Sequence, residues 1–107
     1  MPKYLIMVSY SAEGQQGLLR EGGTARKVAT EAVIQRVGGS LVSHHFALGS
    51  HDVYVIAELP NNAAAAAVAS TIGATGAVRT FETIPLLEAE EIDAAIKLSP
   101  IYRAPGR

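Results

Sequence analysis

Residues 41–59 read LVSHHFALGSHDVYVIAEL, two extended runs rich in β-branched and aromatic residues that meet at Gly49-Ser50. Runs of this kind on either side of a glycine-containing dipeptide predict a β-hairpin. With Gly49-Ser50 as a two-residue turn, Leu48 lies opposite His51, Ala47 opposite Asp52, His45 opposite Tyr54 and His44 opposite Val55. Strand alternation then sorts the residues by face. Val42, His44, Phe46, Val53, Val55 and Ala57 share one side and predict a helix-covered core. Leu41, Ser43, His45, Asp52, Tyr54, Ile56 and Glu58 share the other, a mixed surface suited to a cavity or an interface. All three histidines of the chain fall in this stretch.

Upstream, Lys3 to Tyr10 is apolar on both faces, with Tyr4, Ile6, Val8 and Tyr10 one way and Leu5, Met7 and Ser9 the other. That pattern predicts a central strand covered on two sides. Ser11 to Val37 predicts a helix interrupted at Gly22-Gly23. Leu18 and Leu19 suit a short first turn, and Thr24 suits the cap of a second segment whose apolar residues recur at helical spacing. Gly38-Gly39 ends it, because glycine takes the left-handed conformation without a Cβ clash.

Downstream, Pro60-Asn61-Asn62 stops the hairpin and offers a cap for an alanine-rich helix over 63–74. Ala77 to Leu87 predicts a fourth strand, with Arg79 and Glu82 of opposite parity. Glu88 to Leu98 predicts a last helix, its first turn acidic and Lys97 near its end, as the macrodipole favours. The tail from Ser99 holds two prolines and a glycine and cannot continue a helix.

The order strand, helix, strand, strand, helix, strand and an added helix predicts an α+β fold. It is the ferredoxin-like βαββαβ sandwich with an extra C-terminal helix, in which helices cover one sheet face only. The second face carries apolar residues too, and a second copy of the chain is the economical cover. The chain has 107 residues, a single domain's length. It is 49% hydrophobic and 18% charged, more apolar than an average domain of this size, which also points to an oligomer, a homodimer or higher.

A net charge of -1 leaves no broad positive field, so nucleic acid and anionic lipid are not expected partners. Cysteine is absent, which removes disulfides, thiolate metal sites and a cysteine nucleophile. No run approaches the roughly 18 apolar residues of a membrane span, and the amino terminus lacks the pattern of a signal peptide. The expectation is a soluble cytoplasmic protein.

The run Leu48-Gly49-Ser50-His51-Asp52-Val53-Tyr54-Val55 resembles the signature of the GYD-domain family, small bacterial proteins named for a Gly, Tyr, Asp motif. The opening PKYLIMVSYSAEGQQGLL, the segment LLREGGTAR, the Leu59-Pro60-Asn61-Asn62 turn and Gly76-Ala77-Val78-Arg79-Thr80 also look like that family. Gly49 and Asp52 match the eponymous motif, whereas His51 stands at the tyrosine position. The resemblance implies a dimeric α/β barrel of ferredoxin-like type and carries no established activity.

Three candidate chemistries remain. Adjacent strand residues point to opposite faces, so His44 and His45 cannot share one metal ion, and no metal or cofactor is expected. His51, beside the turn, falls on the face assigned to His44. On the other face, His45, Asp52 and Tyr54 combine an imidazole, a carboxylate and a phenol, a kit for proton abstraction with His45 as base. Tyr10, His51, Glu58 and Arg79 are the candidate ligand contacts, Arg79 for an anionic group. Gly22-Gly23-Thr24 with Arg26 and Lys27 resembles an anion-binding helix start, but a helix break explains it more simply. The expected function is a homodimer that binds a small, partly apolar molecule in a pocket inside or beside the joined sheets. A cofactor-independent enzyme and a protein-interaction module are the alternatives.

Overall fold

A computed structural model describes all residues, Met1–Arg107. Eight elements follow in order: β1 (Lys3–Tyr10), α1 (Ala12–Glu21), α2 (Gly23–Arg36), β2 (Ser40–Phe46), β3 (Val53–Glu58), α3 (Asn62–Gly73), β4 (Val78–Pro85) and α4 (Ala89–Leu98). The strands form one sheet in the order β2-β3-β1-β4, with every neighbouring pair antiparallel. Helices α1, α2 and α3 cover one face. This is the ferredoxin-like α+β arrangement expected from the order of elements.

The expected hairpin register holds, with His44 opposite Val55 and His45 opposite Tyr54. The turn is wider than two residues. The strands end at Phe46 and Val53, and a single further bond from Ala47 N to Asp52 O leads into the loop. A register shift between Leu41 and Ser43 leaves Leu41 opposite Ala57 and packed on the core, while Val42 is exposed. The expected facing of Leu41 and Val42 is therefore reversed, because the bulge breaks strict alternation.

One core lies between sheet and helices. Tyr4, Ile6 and Val8 of β1 and Val53, Val55 and Ala57 of β3 meet Ile34 of α2 and Ala65 of α3, all buried. Val68 of α3 is buried on the same side. The small residues of α3 let it sit close to the sheet.

The interrupted helix is two helices hinged on one residue. Gly22, at φ 86, ends α1 and serves as the N-cap of α2, so Thr24 is not the cap. The first segment is ten residues long, well beyond the expected single turn, because Ser11 caps it through Gly14 N. Ser11 also donates to Gly76 O at 2.6 Å, and its amide donates to Ala77 O. Gly14 then lies so close to Ala77 that a Cβ would sit 2.0 Å from the Ala77 carbonyl oxygen. Gly38, at φ 87, ends α2 as expected, and Asn61 caps α3 by accepting from Ala64 N.

Candidate functional site

Under the helices lies a cavity of about 390 Å³, within the range of small-molecule sites. Ile6, Val8, Val53 and Val55 form its floor, and Val33 of α2 and Ile72 of α3 contribute to its roof. The charged groups gather toward α1 and the start of α2, where Tyr10, Glu13, Glu21 and Arg26 line the same space, and Thr30, Thr71 and Thr75 add hydroxyls elsewhere in the wall. None of the three histidines lines it.

The hinge at Gly22 produces this polar end. It places Glu21, the last residue of α1, beside Arg26 in the first turns of α2, and Arg26 Nη1 donates to Glu21 Oε1. The guanidinium charge is thus largely balanced by its neighbour. Burial pushes the Tyr10 phenol above its ordinary value of 10.0; the adjacent Arg26 works against that rise, and Asp52 and Glu21 add to it. Tyr10 is therefore a neutral hydroxyl at physiological pH, able to donate and to accept.

Tyr10 belongs to the helix side of the sheet, not to the open face with Tyr54 and His45. It shares that side with Tyr4, Ile6 and Val8, as alternation along β1 expects, although the pairing with β4 shifts register between Ser9 and Tyr10. Its amide donates to Asp52 Oδ2 at 2.8 Å, and the Asp52 amide donates to Val8 O at 2.8 Å. Asp52 consequently ties the hairpin tip to β1 and does not orient His45.

The open face has a different inventory. His45 is exposed there, opposite Tyr54. His51 Nε2 lies 2.9 Å from Glu82 Oε2, and the His51 ring meets Tyr54 edge to face with centroids 5.8 Å apart. The expected placement of His51 on the His44 face is thus corrected. β3 begins only at Val53, so alternation does not govern residue 51. An imidazole held by a carboxylate beside a phenol does exist, but its members are His51, Glu82 and Tyr54. Sequence order hid the part of Glu82, which arrives from β4 and sits opposite Met7.

The remaining candidates lie apart. Glu58 is four residues along β3 from Tyr54, about 13 Å away on an extended strand, and is aligned with Lys3 and Ser40. Arg79 is exposed on β4 with no ion-pair partner in the chain. His44 is buried on the helix side, its ring edge-on to Phe46 at 5.1 Å, and burial pulls its pKa below 6.5.

A four-stranded antiparallel sheet with helices packed on one face, a cavity beneath them and an ordered hairpin at residues 40–58 defines a ferredoxin-like α+β domain. The chain matches the family model of the GYD domain over residues 4–96 and belongs to that family. No curated protein and no solved structure matches it. No helix is long and apolar enough to cross a membrane.

Proposed function

We propose that this GYD-domain protein is a homodimer that binds a small, partly apolar molecule in the cavity beneath its helices. The observation that carries the reading is the cavity itself: an apolar chamber of about 390 Å³ with Tyr10, Glu21 and Arg26 gathered at one end. Apolar walls supply affinity through area removed from water, and the polar end fixes orientation. Because Glu21 balances Arg26 and Glu13 adds a further carboxylate, the favoured ligand carries a neutral hydroxyl or carbonyl more readily than a negative charge. The cavity belongs to a single chain, so it differs in place from a pocket between two joined sheets.

The dimer rests on the open sheet face. Leu5, Met7, Tyr54 and Ile56 are only half-covered there, and Ile84 is 40% exposed. A second sheet laid on this face would remove that surface from water.

Titration with 2-naphthol, an apolar bicycle with one hydroxyl, tests the binding reading by fluorescence. Saturable one-to-one binding is expected, and it is expected to disappear in Ile72→Trp, which fills the cavity. Binding that survives this substitution unchanged would place the ligand elsewhere.

A second reading draws on His51. An imidazole 2.9 Å from Glu82 and edge-on to Tyr54 has the parts of a general base, so an enzyme acting between two joined sheets is the alternative. A substrate whose turnover falls at least about a hundredfold in His51→Gln would favour it. Unaltered turnover in that variant would remove it.

A further inference from the structure

Four side chains form one transverse row on the open face. His45 of β2 is aligned with Tyr54 of β3, Tyr54 with Met7 of β1, and Met7 with Glu82 of β4. The row therefore ends in an imidazole at one edge of the sheet and a carboxylate at the other. A second row, toward the start of β1, aligns Glu58 of β3 with Lys3 of β1. Neither His45 nor Glu58 has an ion-pair partner in the chain.

The two rows decide how two copies lie face to face. A two-fold axis across the strands keeps each strand over its counterpart, so neither His45 nor Lys3 lies opposite a carboxylate of the partner. An axis along the strands, between β1 and β3, reverses the strand order while leaving the strands of the two sheets aligned. Then β2 lies over β4 of the partner and β3 over its β1, with each row over itself. His45 comes opposite the partner's Glu82, Glu58 opposite the partner's Lys3, and Ile56 opposite the partner's Leu5. Charge and apolar surface are matched together, as an isologous contact requires.

Glu82 then stands between two imidazoles. Its Oε2 lies 2.9 Å from Nε2 of His51 in the same chain. Packed sheets are about 10 Å apart, a gap that a histidine and a glutamate facing each other span. Metal bonds of about 2.1 Å at a right angle likewise set nitrogen and oxygen about 3 Å apart. The second ring nitrogen of His51, Nδ1, is 3.4 Å from the Ser50 hydroxyl, an outer partner of the kind that orients ligating imidazoles.

We propose that His51 and Glu82 of one copy and His45 of the other bind a divalent first-row metal ion, at two equivalent sites in the dimer. Two imidazoles and one carboxylate suit such an ion and leave positions open for water or a further ligand. No three potential ligands gather within one chain, so the site is incomplete without the partner. It rests on the homodimer reading and not on His51 as a base, because the metal takes the lone pair that a base would use.

Co2+ added to the full chain after EDTA treatment tests the site through visible absorption. Saturation at about one ion per chain is expected. His45→Gln and Glu82→Gln should each weaken binding at least about tenfold, since loss even of an outer partner costs that much. Both residues are exposed, so the fold is retained. No binding by the unaltered chain, or full affinity in His45→Gln, would overturn the site. Mixing the two variants, with subunit exchange confirmed by native mass spectrometry, reads the partner's contribution. About half of the dimers are then mixed and each regains one intact site, so about one ion for every four chains should bind tightly. No recovery on mixing would also overturn the proposal. Sedimentation velocity separates the two readings. A dimer that takes up no Co2+ loses the metal site alone, whereas a chain that stays monomeric with Co2+ loses the homodimer and the site with it.

Discussion

The two faces of the sheet divide between them what a single active site would combine. The helix side has a chamber, apolar walls and a half-buried phenol hydroxyl, yet no histidine lines it. The open side has an imidazole, a carboxylate and a phenol in contact, yet no enclosure within one chain. A molecule in the chamber is separated from His51 by the sheet. The proposed binding and the alternative proton transfer thus fall on separate faces, and substitutions on one face should leave the other's behaviour unchanged.

The largest expected effect is on the open face. Ile56→Asp places a carboxylate at the centre of the proposed sheet contact, once in each copy, and should weaken dimerisation by at least about a hundredfold, since an unpaired buried charge costs several kcal/mol. Sedimentation velocity across concentrations checks this. An unchanged dimer would remove the open face as the interface, while 2-naphthol binding should survive in either case.

Next comes the seam that closes the chamber. Gly14→Ala drives a methyl group into the Ala77 carbonyl, so α1 must shift away from residue 77; a loss of about 1–3 kcal/mol is expected from denaturant titration. Ligand binding should weaken with it, because α1 forms part of the chamber's wall. Full stability would mean that α1 is free to move.

Within the chamber, Arg26→Met should weaken 2-naphthol binding by roughly tenfold, reflecting loss of a charged hydrogen-bond donor, and Tyr10→Phe by about threefold. Glu82→Gln on the other face should change it by less than about twofold. Should Glu82→Gln prove the more damaging substitution in calorimetry, the assignment of roles to the two faces would be reversed.

The smallest effect concerns His44. Its folded pKa lies below the 6.5 of the free side chain, chiefly through burial, with Lys27 and His45 contributing and a backbone hydrogen bond opposing. The unfolded chain therefore binds the proton more readily. The stability linked to this group is present above pH 6.5 and declines as pH falls from there through the folded pKa. Unfolding curves between pH 7.5 and 5 should show the decline, and His44→Phe should flatten part of it.

The sequence disclosed the fold where local chemistry decides it. The pairing of His44 with Val55 and His45 with Tyr54 follows from alternation, the cap at Asn61 from its side-chain oxygen, and the end of α2 from the left-handed Gly38. It disclosed less where structure depends on distant partners. The bulge at Val42 displaces Leu41 and Val42 from the faces that strict alternation gives them. Asp52 looked like a partner for His45, but its oxygen accepts from an amide 42 residues away. Glu82 reaches His51 only because β4 and the hairpin flank the same central strand. The chamber escaped notice for a similar reason. It depends on how far α1 and α2 stand from the sheet, which is set by the Gly22 hinge and the Gly14–Ala77 approach and not by any motif.

The most direct test of the central claim is a two-dimensional amide NMR titration of the full chain with 2-naphthol. The account predicts saturable shifts at Tyr10, Thr30, Val33 and Ile72, around the chamber, with Met7, Tyr54 and Glu82 unmoved. Shifts confined to Met7, Tyr54 and Glu82 would contradict it and move the binding site to the open face.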